Sequence, residues 1–314
     1  MTLAPEVATR LSLPLIAAPM TGVSGPELMI AACRNGVIGS FPTHNAASSG
    51  QLDEWLDSIA KALAPYGSLA APVAPNLVVH PTNARLESDL YRLIAHGIRL
   101  IITSVGSPAP VVGPLHAAGC LVYADVATLR QADKAIAAGV DGLVLLSAGA
   151  GGQTGQANPF AFVRAVRERF DGTIVLAGGI ADGVALFAAQ VLGADLAYMG
   201  TPFIATQESL ASAEYRDALV SSTMDDVRLS DEVGGLPASL LGQWLDARSE
   251  DKGPVAAGDF QQDRLVSDPS VWSAGHSVST IHDIPDVDTL VARIRMQYET
   301  ARASAGLNLS LSKS

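Results

Sequence analysis

Charge is scarce in this chain, and positive charge scarcer still. Of 314 residues 16% are charged, 20 of them Lys or Arg against 31 Asp or Glu, giving a formal net charge of −11. No basic stripe follows from so few cations, which removes the electrostatic footprint of nucleic-acid binding. Cysteine is equally sparse: Cys33 and Cys120 sit in apolar segments without CxxC spacing. Two buried, reduced thiols are the expected reading, and no His, Cys and carboxylate cluster has zinc spacing. Hydrophobic residues make up 48% of the chain and mean hydropathy is +0.28. Yet no apolar run reaches the roughly 18–20 residues that span a bilayer. The opening MTLAPEVATRLSLPLIAAPM lacks a basic stretch followed by a continuous apolar one, so no signal peptide is read and the cytoplasm is the expected compartment. Also missing are a GxGxxG opening a helix after the first strand and a GxSxG elbow. Their absence argues against a nicotinamide Rossmann site and against the usual hydrolase.

What is present is a beat. Short apolar runs at 13–18, 37–40, 69–72, 100–104, 121–124, 142–146, 173–177 and 196–199 alternate with helix-like segments at 26–35, 52–63, 82–96, 108–118, 128–138, 159–170 and 183–192. Strands apolar on both faces suit a parallel sheet covered on both sides. Eight repeats point to a closed (β/α)8 TIM barrel, an α/β fold, with a doubly wound open sheet as the alternative. The joints support the barrel. Asn35-Gly36, His96-Gly97, Ala118-Gly119, Ala138-Gly139 and Leu192-Gly193 each place glycine where a helix ends before the next strand, the position of a left-handed C-cap. After Thr201 the beat stops. Residues 205–269 read as a small helical cap with helices at 209–220 and 237–247 and no strand signal. A closing helix is expected at about 280–303, and 304–314 as a flexible tail. The barrel would then comprise 1–204 and 270–303.

In a parallel barrel, ligands meet the C-terminal strand ends. Those ends read Ala17-Ala18-Pro19-Met20-Thr21, Phe41-Pro42-Thr43-His44-Asn45, the approach to Asn76, Thr103-Ser104, Asp125, the run 142–155 (GLVLLSAGAGGQTG), Gly178-Gly179-Ile180 and Met199-Gly200-Thr201. The glycines of 149–155, Gly152 among them, allow backbone to approach a flat or phosphorylated ligand without Cβ clashes. Gly178 and Gly179 leave main-chain donors open, and Thr201 adds a hydroxyl beside Gly200, as a phosphate cradle requires.

Six motifs in this order, PLIAAPM, the Asn of APNLVV, AGAGGQTG, VLAGGIADG, YMGTPF and WSAGHSV, resemble the nitronate monooxygenase family, formerly called 2-nitropropane dioxygenases, which includes FMN-dependent enoyl-ACP reductases. The resemblance spans residue 13 to about 300. It implies a barrel that holds non-covalent FMN at its mouth. Ala18, Pro19 and Met20 would lie against the flavin ring, and Asn76 would hydrogen-bond it. Gly179 and the run Tyr198, Met199, Gly200 and Thr201 would hold the phosphate. Tyr198 departs from the Gln common in the family. Asp125 lies where a cation near the flavin would stabilise its reduced form; an aspartate opposes that unless paired.

The main departure is Gln153, in the place where the family puts the histidine credited with taking the substrate α-proton. An amide donates and accepts hydrogen bonds but is no base near pH 7. A substrate already deprotonated, an anionic nitronate, removes the need for one. Otherwise the substitute base is His44, in the loop after strand 2, or His276, in the C-terminal segment. His80, His96, His116 and His282 have no assigned role. Trp244, Trp272 and Tyr215 read as cap core. The expected function is oxidation of a small nitronate by an FMN enzyme with O2 as partner. The alternatives are an NAD(P)H-dependent flavin reductase and a flavin- or phosphate-binding barrel without turnover. No nucleic-acid or membrane partner is expected. A surface this apolar suits a homodimer, although no interface is legible.

Overall fold

The computed structural model describes residues 3–247, 260, 262 and 271–311, with side chains described to residue 306. Eight parallel strands form the barrel: β1 (Leu15–Ala17), β2 (Ile38–Gly39), β3 (Asn76–Val78), β4 (Leu100–Ser104), β5 (Leu121–Val126), β6 (Gly142–Leu146), β8 (Thr173–Ala177) and β9 (Leu196–Met199). Their order is β2-β1-β9-β8-β6-β5-β4-β3. The two outer strands meet through parallel bridges Gly39–Val73 and Pro42–Asn76. There the Ala74 N–H donates to Gly39 O at 2.9 Å and the Asn76 N–H to Phe41 O at 2.8 Å, which closes the ring.

The helices of the beat are α2 (Pro26–Arg34), α3 (Ser49–Leu63), α4 (Leu86–Ala95), α5 (Ala109–Ala117), α6 (Leu129–Ala137), α7 (Pro159–Arg167) and α8 (Gly183–Leu192). Side-chain N-caps start several of them: Ser48 accepts from Gln51 N, Thr128 from Gln131 N and Asp182 from Ala185 N. At their ends Gly36, Gly97, Gly119, Gly139 and Gly193 all take positive φ, between +68° and +111°. These are the left-handed caps that the five glycine joints indicate. The short α1 (Pro5–Ala8) closes the bottom of the barrel, where Val7 packs among the inward-facing residues Ile16, Ile38, Leu100 and Val144.

Period-two alternation divides each strand between two cores. On β5, Val122, Ala124 and Val126 join the outer core against the helices, whereas Tyr123 belongs to the barrel interior. On β9, Ala197 and Met199 face outward, and Leu196 and Tyr198 inward.

Two expectations are corrected. The third strand is Asn76–Val78, not 69–72; Leu69 ends a 3-10 segment and is 79% exposed. Pro72 and Pro75 offer no N–H to a ladder, so before Asn76 the chain makes only the isolated bridge at Val73, and a continuous strand begins after the second proline. The region after Thr201 is not purely helical. Beyond α9 (Thr201–Ile204) and α10 (Ala213–Ser221) come β10 (Val227–Ser230) and β11 (Ala238–Leu241), then α11 (Gly242–Ala247). Strand β11 occupies the start of the helix expected at 237–247. It pairs antiparallel with β10 on one side and with β7 (Gly152–Gln153) on the other. Gly234 and Gly235, with φ of +73° and +77°, turn the chain between β10 and β11. This sheet has its own core, in which Tyr215 and Trp272 rings stack at 5.4 Å. Apart from 260 and 262, the remainder of the expected cap, including the break SEDKGP, lies outside the described residues. The closing helix α12 is Val287–Leu311, which extends past the expected end at 303; residues 312–314 lie outside the described ones. No described helix is long and apolar enough to cross a membrane.

Candidate active site

One cleft opens at the C-terminal strand ends and encloses about 1330 Å³ of empty space, the solvent at its mouth included. Each barrel strand sends its last inward residue or its following loop there, as strand periodicity and parallel direction require. Of the residues singled out in the sequence, Ala18, Pro19, Met20, His44, Asn76, Asp125, Gly152, Gln153, Gly178, Gly179, Tyr198, Gly200 and Thr201 line it together. Met199 does not: its side chain is fully buried in the outer core, and its carbonyl accepts the Ala18 N–H at 2.9 Å. His276 does not line the cleft either. It is exposed, and its main-chain N–H donates to Gly149 O at 2.9 Å. The WSAGHSV segment thus contributes backbone to the glycine loop, not an imidazole to the site.

The polar residues of the floor are held in different ways. Asn76 is buried, and its Oδ1 accepts a hydrogen bond from Ser104 Oγ at 2.9 Å. That bond fixes the amide and leaves its NH2 to donate. Asp125 Oδ1 and the Tyr198 hydroxyl are buried without a partner among the described residues. Burial pushes the Asp125 carboxyl up to about 8, and burial raises the Tyr198 hydroxyl well above its usual range, with the Asp125 charge adding to it. His44 Nε2 shares a proton with Thr21 Oγ1 at 3.0 Å, while Nδ1 is buried without a partner. Burial, then the Arg85 charge, lowers this imidazole to about 4. His44 is therefore neutral at pH 7 and poorly matched to a general base there.

The glycines serve two purposes. At Gly151 a Cβ would lie 2.7 Å from the Gly275 nitrogen, and at Gly155 it would collide with Leu146 O. These two are required by the chain's own backbone. Gly179 differs: with φ of +70°, its Cβ position has no atom within 4 Å and faces open space at the cleft. Gly178, with φ of +120°, packs against Ser147 and Ala148. Thr201 Oγ1 accepts from the Gly275 N–H at 3.0 Å, tying the β9 end to the C-terminal segment. Gln153 enters the cleft from β7, half-buried, in register with Ala238 of the cap sheet.

Sequence reasoning placed Ser104 at a strand end but gave it no role, and passed over Val105. Val105 lines the cleft with φ of +49°, an outlier for a β-branched residue. No composition or spacing signal announces such a backbone. The outer wall is apolar: Val23, Ile204, Val233, Leu240 and Val271, with the Tyr215 hydroxyl donating to Ser273 O. Tyr215 is thus both cap core and cleft wall, whereas Trp244 belongs to the cap core and Trp272 packs against it. No group of three metal-ligating side chains occurs among the described residues.

A profile of the nitronate monooxygenase family matches residues 53–294. A putative monooxygenase of Mycobacterium tuberculosis is 36% identical over 180 residues, covering 56% of this chain and 48% of that protein, so the chain spans about half of that relative's length. A nitronate monooxygenase of Paraburkholderia phytofirmans is 27% identical over 286 residues, 78% of each sequence. In fold, nitroalkane oxidase from Streptomyces ansochromogenes superposes with a TM-score of 0.82 at 22% identity, over 95% of this chain and 99% of that one.

Proposed function

The chain belongs to the nitronate monooxygenase family, and from that premise we propose that it is an FMN-dependent oxidoreductase that oxidises small alkyl nitronates with dioxygen. The observation that carries this reading is the convergence on one cleft of Ala18-Pro19-Met20, Asn76, the Gly178-Gly179 backbone and Gly200-Thr201.

These residues fit FMN. The three-residue ledge offers a flat contact, Asn76 a donor amide held by Ser104, and the open position at Gly179 a place where main chain approaches a phosphate without Cβ interference. Two orphaned polar groups on the floor, Asp125 and Tyr198, await a polar ligand. When bound, the flavin supplies the redox chemistry, taking electrons from substrate and returning them to dioxygen.

The chain's own residues orient substrate and exclude water. Gln153 donates its amide to the oxygens of a nitronate, which arrives without the α-proton and needs no base. That fits a site whose histidine, His44, binds a proton only near pH 4. Thr21 keeps one imidazole nitrogen occupied. The apolar wall from Val23 to Leu240 receives the alkyl portion of the substrate. In this reading residues 205–269 act as a substrate-side cap over a barrel formed by 1–204 and 270–303.

Anaerobic mixing with propionate 3-nitronate and, separately, with NADH and NADPH tests it. The purified protein is expected to be yellow and to be bleached by the nitronate alone. Bleaching by a nicotinamide alone would make it a flavin reductase. A protein that takes up no FMN would overturn the flavin assignment.

A further inference from the structure

Asp125 and Tyr198 both point into the upper barrel, and each keeps a buried oxygen without a partner among the described residues. Tyr198 is 8% exposed, so its hydroxyl has given up water and received nothing in return. A buried polar group in that condition destabilises the free protein. Two of them on one cleft floor mark a place built to be completed by a ligand. Their neighbours are already committed or inert: Ser104 is bonded to Asn76, and Leu146 and Ala177 are apolar.

We propose that Asp125 and Tyr198 form a two-hydroxyl station for a hydrogen-bonding group of the bound flavin, with Asp125 present as the neutral acid, so that FMN uptake at alkaline pH carries one proton with it. This rests on the flavin reading given above. A carboxylic acid and a phenol each donate one hydrogen bond and accept others, which suits a ligand edge or hydroxylated chain that also does both. An ionised Asp125 would accept only. It would also place a negative charge in the same cleft as a dianionic phosphate, where low polarity strengthens the repulsion.

No other ionisable group lining the cleft, among the described residues, changes charge in the relevant window. His44 is pushed down to about 4; Tyr198 and Tyr215 are raised above their usual values by burial. Tyr123, one layer below, is pushed up to about 12. Asp125 itself stands at about 8. The free protein therefore already holds the proton at pH 7, and must take one up to bind FMN at pH 9.

The test is FMN binding to apoprotein between pH 7 and 9, above the second phosphate ionisation near pH ~6. Flavin fluorescence reads affinity, and calorimetry in two buffers of different ionisation enthalpy reads protons. The wild type is expected to show a Kd constant up to pH 8 and rising toward tenfold per unit above it. Proton uptake should be near zero at pH 7 and approach one at pH 9. Asp125→Asn is expected to bind with neither dependence. Tyr198→Phe should weaken binding five- to tenfold at every pH while keeping the dependence. A pH-independent Kd in the wild type, or an unchanged slope in Asp125→Asn, would overturn the proposal while leaving the flavin reading intact. Absence of FMN binding at every pH would overturn the flavin reading, and this proposal with it. The proton count on the wild type decides the matter even if a variant fails to fold.

Discussion

Tyr123 and Asp125 are two residues apart on one strand and point into the same barrel, yet they live in opposite conditions. The Tyr123 hydroxyl donates to Thr173 Oγ1 at 3.3 Å from a side chain that is 1% exposed, among Ile16, Leu100 and Val144. Asp125, one layer up, has a buried oxygen with no partner among the described residues. The lower layer is finished by the chain alone; the upper layer is not. The contrast shows where this barrel stops optimising its own stability and starts holding polar groups for something else.

The comparison breaks most visibly with Tyr123→Ala, which empties a large volume from the finished layer. A loss of ~3–5 kcal/mol is expected in denaturant unfolding, in apoprotein and FMN-loaded protein alike. An unchanged midpoint would mean that the lower layer is not a packed part of the core. Next comes His44, buried in the cleft. Its folded value is lowered from 6.5 to about 4, so the unfolded chain binds its proton first as pH falls. Stability present above pH 6.5 should be lost progressively down to pH 4, on the order of 2–3 kcal/mol, and His44→Gln should remove that part of the slope.

Asp125→Asn should act in the other direction. The folded carboxyl is raised from 3.8 to about 8, so the wild type loses stability relative to the variant as pH rises between those values. In denaturant unfolding at pH 9 the apoprotein variant is expected to be more stable than the wild type by up to ~5 kcal/mol, the gain vanishing near pH 4. A variant less stable at pH 9 would show that the floor carboxylate has a partner. The smallest effect belongs to Tyr123→Phe, ~1 kcal/mol for one long hydrogen bond, with no influence on FMN affinity. Any change in that affinity would erase the distinction between the layers.

The sequence made the lower layer and the frame legible because both follow from local rules. Glycine after five of the seven helices needs a left-handed backbone, and apolar runs of strand length need two covered faces. The third strand misled because Leu69 to Pro72 is apolar enough for a strand but sits before two prolines, and apolarity does not count N–H donors. The cap strands were missed because β10 is half exposed and short, although Gly234-Gly235 between two alternating segments was the available turn signal. In the site, Ala18, Asn76, Gly179 and Thr201 could be placed because strand ends are readable. His276 could not, because which side of a returning loop faces inward depends on contacts with Gly149 far away in sequence. Val105 had no signal at all, since its strained φ is imposed by the fold.

Strand β7 carries Gln153 yet takes its hydrogen bonds from the cap sheet, in register with Ala238. This cleft-lining residue thus has its address written in two places, one in the barrel loop and one some 85 positions later, at Ala238. A recombinant that grafted another family member's residues 205–269 onto this barrel would shift the frame in which Gln153 stands. Such chimeras should keep their fold and lose their specificity unless residues 149–155 travel with the graft. For anyone diversifying this scaffold, the unit of inheritance is the cap together with its borrowed strand.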